Sequence, residues 1–314
     1  MALNGETMTQ RWAMVLAGGE GTRLRPLTEM ITGDGRPKQF CALLGEETLL
    51  ERTWRRTELV IDPRRTVTVL TRAHERFFAP LVAGTPTRCL VVQPENRGTA
   101  PAILYGLSRI AARAPMGMVA IVPSDHYVSD DAIFMGHVEA ALDAVDRRPD
   151  LVILLGIAPD APETDYGWIE PGAAIPGGGL RRVRRFWEKP GSTTARALLE
   201  RGCLWNSLVV VARVPALLGL IRTAMPALDA AFAVRATVDG EAETSAMAEL
   251  YSGLIPSSFS DRVLGTHPAN LAVLLVRGVV WSDWGQPRRV LATLARLGIE
   301  PGWARRAAPM AASA

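Results

Sequence analysis

The chain has 314 residues, with 35 basic and 32 acidic side chains, so it can bury a large core beneath a surface of mixed charge. This balance argues against a nucleic-acid-binding protein and leaves anionic small molecules as candidate partners. Three dispersed cysteines indicate neither a disulfide framework nor a zinc site, and the lack of a signal peptide or a long apolar stretch predicts a soluble cytoplasmic protein with no membrane partner.

The first half of the sequence alternates short apolar runs with amphipathic helical patterns. This alternation is typical of a parallel sheet covered by helices on both faces. Thr48 and Glu51 form a capping box that predicts one helix, a second helix begins near Thr99, and a third covers residues 131–147. The apolar runs between the helices predict strands at residues 13–17, 66–71, 88–93, 118–122 and 151–156.

The second half is less regular and opens with a Pro/Gly-rich connection at residues 159–179. We therefore expect an α/β fold with a Rossmann-like, mixed and mostly parallel sheet, helices on both faces and an α+β elaboration. The later predicted elements are strands at 180–187, 208–214, 271–276 and 279–281 and a helix at 287–297. The expected boundaries are one domain over 11–300, divided into halves at 11–157 and 158–300, with flexible tails at 1–10 and 301–314.

A glycine- and arginine-rich loop, LAGGEGTRLRPL at residues 16–27, follows the first predicted strand. Its glycines would let backbone amides approach a polyphosphate closely, and its arginines would supply charge. The spacing matches neither GxxxxGK[ST] nor GxGxxG, which argues against Walker and dinucleotide-binding loops. The alternative is a glycine turn with two solvated arginines. The candidate nucleotide-binding residues here are Gly18, Gly19, Gly21, Thr22 and Arg23.

Lys38, in the segment RPKQF at residues 36–40, can add a second cation to the same anion. The two segments together resemble the signature of the sugar-phosphate nucleotidyltransferases, and Pro-Lys-Gln-Phe is similar to the mannose-1-phosphate guanylyltransferase branch. The resemblance implies a nucleotide-diphospho-sugar transferase fold. One departure is that residues 27–37 form a stretch a few residues longer than is usual in the family.

The segment QPENRGTAPA at residues 93–102 is similar to the family's nucleobase-recognition segment in its guanylyltransferase form. The amide of Gln93 offers a donor and an acceptor suited to a base edge, and Gly98 would permit close backbone approach. The alternative is a strand-to-helix turn capped by Thr99. The resemblance assigns nucleotide binding to Gln93, Asn96, Gly98 and Thr99.

Two aspartates are the candidate metal ligands. Asp125 follows a buried strand, at the sheet edge where open α/β sheets bind ligands, and Asp283 lies in the segment WSDWG at residues 281–285. Each alone would be interpreted as a turn or cap residue. The resemblance implies that both hold Mg²⁺, while His126 is expected to hydrogen-bond locally because no second histidine lies at ligand spacing.

Three short segments of the second half resemble the family's sugar-phosphate pocket and supply Tyr166, Gly167, Glu188, Lys189 and Asn206. The resemblance implies that Glu188 and Asn206 bind sugar hydroxyls and that Lys189 holds the phosphate. The next residue but one after Asn206 is leucine where the family usually has glycine. This departure at position 208 leaves mannose, glucose and heptose open as the sugar.

The resemblance implies transfer of a nucleotidyl group from an NTP, GTP in this branch, to a sugar 1-phosphate such as mannose 1-phosphate, with release of pyrophosphate. Larger family members carry a C-terminal β-helix or a fused isomerase domain, for which this sequence has no room, so we expect a monomer or a homodimer formed through the core. A non-catalytic nucleotide-sugar sensor on the same fold is the alternative, and a dinucleotide-binding oxidoreductase would require the missing GxGxxG. The implied catalytic residues are Arg23, Lys38, Asp125 and Lys189.

Overall fold

Most of the apolar runs become strands of one nine-stranded mixed sheet. A computed structural model describes residues 10–86, 89–233 and 241–307. The predicted strand start at Arg88 and residues 1–9 and 308–314 of the predicted tails lie outside this part of the chain. The strands are β1 (Arg11–Leu16), β2 (Thr66–Thr71), β3 (Leu90–Gln93), β4 (Met118–Pro123), β5 (Tyr127–Val128), β6 (Val152–Ile157), β7 (Gly167–Ile175), β8 (Leu180–Glu188), β9 (Leu204–Arg213), β10 (Leu271–Val276) and β11 (Trp281–Ser282).

The strand order of the large sheet is β3-β2-β1-β4-β9-β6-β10-β8-β7, and β9 also pairs with β7. Strands β8 and β9 run opposite to the other seven, which confirms a mixed sheet in which most strands share one direction. A separate antiparallel pair joins β5 to β11, with Tyr127 opposite Ser282. This pair brings the chain beside Asp283 against the chain beside Asp125.

Helices cover both faces of the sheet because successive strand residues point to opposite sides. The helices are α1 (Arg25–Thr32), α2 (Leu49–Glu58), α3 (Glu75–Phe78), α4 (Thr99–Ala111), α5 (Asp131–Arg147), α6 (Ser192–Glu200), α7 (Val214–Ala224), α8 (Pro226–Ala233), α9 (Glu241–Gly253), α10 (Pro287–Leu297) and α11 (Ala304–Ala307). In β4, Val119 and Ile121 share a core with residues of α4, α7, α8 and α9, whereas Met118 and Ala120 share a core with residues of α2, α5 and α6. Among the described residues, no helix has the length and apolar character needed to cross a lipid bilayer.

Several local predictions are confirmed by hydrogen bonds or element bounds. The Glu51 amide donates to Thr48 Oγ1 at 3.2 Å, and the Thr48 amide donates to Glu51 Oε2 at 2.8 Å, which is the capping box at the start of α2. Helices α5 and α10 have the predicted bounds. Strand β9 begins four residues before its predicted start, because the buried polar residues Asn206 and Ser207 interrupt the apolar pattern.

Strand β7 was not predicted, because its sequence lies in the Pro/Gly-rich stretch interpreted as a connection. Pro171 and Gly172 break the apolar alternation that identifies a strand. The register between β7 and β8 shifts between Glu170 and Pro171, so the proline lies at an irregularity of the pairing. Proline and glycine are tolerated at such bulges, which explains why the strand persists.

The expected fraying from residue 301 onward is wrong for residues 301–307. Trp303 is only 8% exposed, and its Nε1 donates to the Leu43 carbonyl at 3.2 Å. It packs with Leu24, Trp284 and Leu294 in a small third core beside the sheet. A buried tryptophan anchors this end of the described chain, whereas the composition alone suggested an unpacked tail.

Candidate active site

The glycine loop and Asp125 leave the sheet side by side. Strands β1 and β4 are parallel neighbours with Leu16 opposite Pro123, and the Ser124 amide donates to the Leu16 carbonyl at 3.1 Å. The carboxyl ends of both strands therefore open onto one edge, which is where open α/β sheets usually bind ligands.

The structure gives a different reason for glycine at two positions of the loop and no reason at a third. A Cβ on Gly18 would lie 2.7 Å from Gln93 Nε2 and 2.8 Å from Thr71 Oγ1, so neighbouring side chains exclude any larger residue. Gly21 has φ +59°, which favours glycine. Gly19 has neither a positive φ nor any atom within 4 Å of an added Cβ. Its conformation and surroundings therefore give no internal reason for glycine at this position.

Lys38 is buried between the two aspartate segments. Its Nζ lies 3.3 Å from Asp125 Oδ2 and also donates to the backbone carbonyl of Asp283. The next residue, Gln39, donates through Nε2 to the carbonyls of Ala17 at 3.0 Å and Gly19 at 2.8 Å. The longer stretch before Lys38, part of which forms α1, therefore still delivers the lysine beside Asp125 and fixes the glycine loop to it.

The carboxylate of Asp283 is held in one orientation. Its Oδ1 accepts hydrogen bonds from Tyr166 OH at 3.0 Å, the Gly285 amide at 2.9 Å and Arg289 Nη1 at 3.0 Å. Burial would raise the pKa of Asp283, but the positive charges of Lys38 and Arg289 outweigh burial and hold that pKa below its usual value. Asp283 is therefore ionised at neutral pH.

His126 is not a source of positive charge. Burial lowers the pKa of its imidazole to about 4, although Asp125 opposes that shift. The ring is therefore neutral at pH 7, and its Nε2 lies 3.6 Å from Asp125 Oδ1. Three of the buried polar atoms that have no hydrogen-bond partner within the described residues belong to the sequence neighbours of Lys38 and Asp125. These atoms are Gln39 Oε1, Ser124 Oγ and His126 Nδ1. Buried polar groups without a partner are uncommon in folded proteins, and an ordered water or ion can satisfy them.

Asp125 and Asp283 supply carboxylate oxygens, the type of ligand that a hard divalent cation prefers. Among residues 10–86, 89–233 and 241–307, no group of three or more His, Cys, Asp or Glu side chains could hold a metal. Mg²⁺ usually needs only one or two carboxylates, because waters and substrate phosphates complete its shell. The ammonium of Lys38 already contacts the Asp125 carboxylate and the Asp283 carbonyl, so a positive charge is accommodated between these segments.

Gln93 lies beneath the glycine loop. It is 2% exposed, its Oε1 accepts from Tyr251 OH at 3.2 Å, and its Nε2 donates to the Leu70 carbonyl at 3.4 Å. Both ends of the amide are therefore already engaged. Reading a base edge, as the sequence predicts, would require these contacts to exchange, and in this structure Gln93 supports Gly18.

Residues 257–259 pack against the rest of the segment that the sequence predicts to recognise the nucleobase. The Ser257 amide donates to the Arg97 carbonyl at 2.9 Å, and the Ala100 amide donates to the Ser257 carbonyl at 3.1 Å. Thr99 Oγ1 accepts from the Phe259 amide at 2.8 Å, and Asn96 Oδ1 accepts from the Gly98 amide at 3.0 Å. Sequence reasoning missed the contribution of residues 257–259, because they lie about 160 positions after Thr99 in the chain and carry no motif.

The predicted sugar-pocket residues converge on Gly167. Glu188 lies opposite Gly167 in the β7–β8 pair, and a Cβ on Gly167 would be 3.2 Å from both Asn206 Cβ and Glu188 Oε2. Burial raises the pKa of Glu188, and nearby Asp261 adds to that shift while Lys189 opposes it. Lys189 is more than half exposed, and its Nζ lies 4.0 Å from Glu188 Oε1, so its ammonium is available to an anion.

Leu208 has a backbone conformation that favours glycine. Its φ is +60° within β9, and its amide donates to Asn206 Oδ1 at 3.1 Å. The β4–β9 register pairs Ile121 with Val210, so continuing it places Leu208 near the end of β4, close to Asp125 along the chain. The leucine that departs from the family pattern therefore lies in the strand that pairs with β4, two residues after Asn206.

Replacing Leu208 with glycine should change the free energy of unfolding by less than about 1 kcal/mol, measured by urea denaturation. Relief of about 1 kcal/mol of left-handed strain offsets glycine's entropy cost and the contacts of a half-buried leucine. The matched control is Val210→Gly in the same strand, which is fully buried and should cost about 3 kcal/mol or more. Equal losses for the two variants would show that Leu208 is not strained.

Two acidic residues and one arginine of the site were missed by sequence reasoning. Arg289, on α10, donates through Nη2 to Glu163 Oε2 at 2.6 Å and Asp165 Oδ2 at 3.0 Å, besides its contacts with Asp283. Its guanidinium also lies 4.5 Å from the ring centroid of Tyr166. The only sequence signal was the adjacency of Glu163 and Asp165 to the Tyr166-Gly167 motif.

The residues described above form a cluster of cations and carboxylates where a glycine loop leaves the sheet. The chain belongs to the nucleotidyl transferase family, whose model matches residues 12–297. It is 34% identical over 219 residues to the xanthan biosynthesis protein XanB of Xanthomonas campestris pv. campestris, covering 68% of this chain and 44% of that one. It is 32% identical over 299 residues to a mannose-1-phosphate guanylyltransferase of Sinorhizobium fredii, covering 90% and 55%.

The fold is also found among solved structures. The crystal structure of "mannose-1-phosphate geranyltransferase" from Thermus thermophilus aligns with a TM-score of 0.78 and 30% identity, covering 93% of this chain and 80% of that one. This confirms the predicted nucleotide-diphospho-sugar transferase type of fold. The chain spans about half the length of the XanB and guanylyltransferase relatives that it matches.

Proposed function

We propose that this protein transfers a guanylyl group from GTP to mannose 1-phosphate, giving GDP-mannose and pyrophosphate. The observation that carries the proposal is the position of Lys38, which contacts the Asp125 carboxylate and the Asp283 carbonyl beside the glycine loop. The choice of GTP and mannose 1-phosphate is supported by the guanylyltransferase relative, which is similar to 90% of the chain.

Both substrates are anions, so charge neutralisation and positioning must dominate the chemistry. Two unit charges about 4 Å apart repel by roughly 4 kcal/mol at an effective dielectric constant near 20. Arg23 and the amides of Gly18 to Thr22 would hold the leaving β- and γ-phosphates, and Lys38 would neutralise phosphate charge. No side-chain nucleophile is needed, because the sugar phosphate is already ionised at neutral pH.

The second half of the site would orient the attacking phosphate. Lys189 would bind that phosphate, and Glu188 and Asn206 would hydrogen-bond sugar hydroxyls. Asp125 and Asp283 would hold Mg²⁺, which when bound supplies a Lewis acid for the transferring phosphate. The orientation of Asp283 by Tyr166 and Gly285 means that little rearrangement of this carboxylate is needed.

The direct test is pyrophosphate release by the purified protein with Mg²⁺, each of the four NTPs and a panel of sugar 1-phosphates. The proposal predicts fastest release with GTP and mannose 1-phosphate. Release with glucose 1-phosphate or a heptose 1-phosphate in preference would keep the reaction and reject the sugar. No release with any pair would overturn the enzymatic proposal and favour a nucleotide-sugar sensor on this fold.

Gly19 gives a separate test of the triphosphate position. Gly19→Ala should leave the free energy of unfolding within about 0.5 kcal/mol, because an added Cβ meets open space. If a triphosphate lies against this backbone, the same methyl group should weaken GTP binding at least about tenfold in calorimetric titration. Gly136→Ala, also in open space but on α5, is the matched control and should not change binding. Unchanged affinity in Gly19→Ala would place the triphosphate elsewhere.

A further inference from the structure

Asp165 connects the glycine loop, through a single oxygen, to the Asp283 centre, by which we mean the Asp283 carboxylate and its hydrogen-bond donors. Its Oδ2 lies 3.0 Å from Arg23 Nη1, and it accepts hydrogen bonds from Gln286 Nε2 at 2.6 Å and Arg289 Nη2 at 3.0 Å. One carboxylate oxygen therefore engages the arginine proposed to bind the leaving phosphates and the arginine that orients Asp283.

The two arginines differ in how firmly Asp165 holds them. Arg289 is 92% buried on its side chain and also contacts Glu163 and Asp283, so its position is fixed by three carboxylates. Arg23 is half exposed, and Asp165 is its one ion-pair partner among the described residues. Exposed ion pairs of this kind contribute little and are readily exchanged. Arg23 is therefore the partner that can leave Asp165.

The position of Arg23 is suited to such an exchange. A Cβ on Gly285 would lie 3.2 Å from Arg23 Nη2 and 2.5 Å from Asp283 Oδ2, so Arg23 lies over a glycine beside the Asp283 carboxylate. A polyphosphate bound by the loop would approach the same guanidinium, and Asp165 would then face it with a like charge. Competition from Asp165 for Arg23 and repulsion between Asp165 and the polyphosphate therefore both oppose polyphosphate binding.

We propose that Asp165 is a positioning residue that competes with the triphosphate for Arg23 and thereby limits the affinity for nucleotide and pyrophosphate. When no polyphosphate is bound, Asp165 holds Arg23 next to the Asp283 centre. When one binds, Arg23 exchanges the carboxylate for phosphate oxygens. The weaker affinity favours departure of pyrophosphate, which is the leaving group of the proposed reaction. This inference rests on the proposed role of Arg23 in binding phosphates.

The test is calorimetric titration of the full chain with inorganic tripolyphosphate, without a divalent cation. Asp165→Asn keeps an oxygen that can accept from Arg289 but removes the charge, so tripolyphosphate should bind about fivefold more tightly than to the wild type. The matched control is Glu163→Gln, which also removes a charge paired with Arg289 but, among the described residues, forms no ion pair with Arg23. Its affinity should stay within twofold of the wild type.

Unchanged or weaker binding by Asp165→Asn would overturn the inference, as would equal tightening in the Glu163→Gln control. Absence of binding to both the wild type and Asp165→Asn would also overturn it. Adding Arg23→Ala to Asp165→Asn should remove most of the gain in tripolyphosphate affinity, because the gain depends on releasing Arg23. If the gain came instead from a general change in the charge of the site, it would persist without Arg23. Tripolyphosphate contains neither base nor sugar, so a wrong assignment of GTP or mannose 1-phosphate, detected in the pyrophosphate-release panel, would not alter this outcome.

Discussion

Replacing Asp125 with asparagine should reduce pyrophosphate release at least about 1000-fold while the protein remains folded. The substitution preserves side-chain shape but removes the charge that lies 3.3 Å from Lys38 Nζ and would bind the metal. Asp125 is partly exposed, so its loss should have a modest effect on stability. Turnover with GTP and mannose 1-phosphate, together with thermal unfolding of each protein, measures the two effects separately.

Asp150→Asn is the matched control for this experiment. Asp150 pairs with Arg148 at 2.9 Å in the turn before β6, at the opposite edge of the sheet from the strand ends that form the site. The same chemical change there should leave turnover within twofold. If Asp125→Asn retained more than a tenth of wild-type turnover, the proposed metal role of Asp125 would be wrong.

Replacing Gly98 with alanine should lower the free energy of unfolding by about 3 kcal/mol or more. The backbone at Gly98 has φ +87° and ψ −179°, a region open essentially to glycine alone. An added Cβ would lie 2.9 Å from the Ser257 carbonyl carbon and closer still to its oxygen. The Ser257 backbone cannot move away without losing its hydrogen bonds to Arg97 and Ala100.

Urea denaturation compares this variant with Gly219→Ala on α7. An added Cβ at Gly219 meets nothing within 4 Å, so alanine there should stabilise the helix by about 1 kcal/mol or less. The contrast isolates conformation and close contact from the general effect of replacing glycine. A loss below about 1 kcal/mol for Gly98→Ala would show that the contact with Ser257 is not tight in solution.

The sequence allowed the sheet to be predicted, because its strands depend on local patterns. Buried strands appear as runs of apolar and β-branched residues, as at residues 66–71 and 271–276, whose predicted bounds match β2 and β10. The glycine loop directly follows β1, and Lys38 comes shortly after the loop. Asp125 follows β4, so the parallel pairing of β1 and β4 places all three at the same end of the sheet.

What could not be predicted depends on contacts between distant segments. Tyr251 and Gln93 are 158 positions apart, and Tyr166 and Asp283 are 117 apart. Arg289 occupies an amphipathic helix, where an arginine is usually interpreted as solvent-facing. Only the three-dimensional arrangement shows that its guanidinium is buried among three carboxylates.

The place of β9 in the sheet makes the two halves of the sequence inseparable. This strand comes from the second half of the sequence, yet it is inserted between β4 and β6 of the first half. Without it, β4 and β6 would each present a bare row of amides and carbonyls in the middle of the sheet. Exchanging substrate specificity between relatives by joining whole halves would therefore cut through the core, whereas grafting residues at the strand ends would leave it intact.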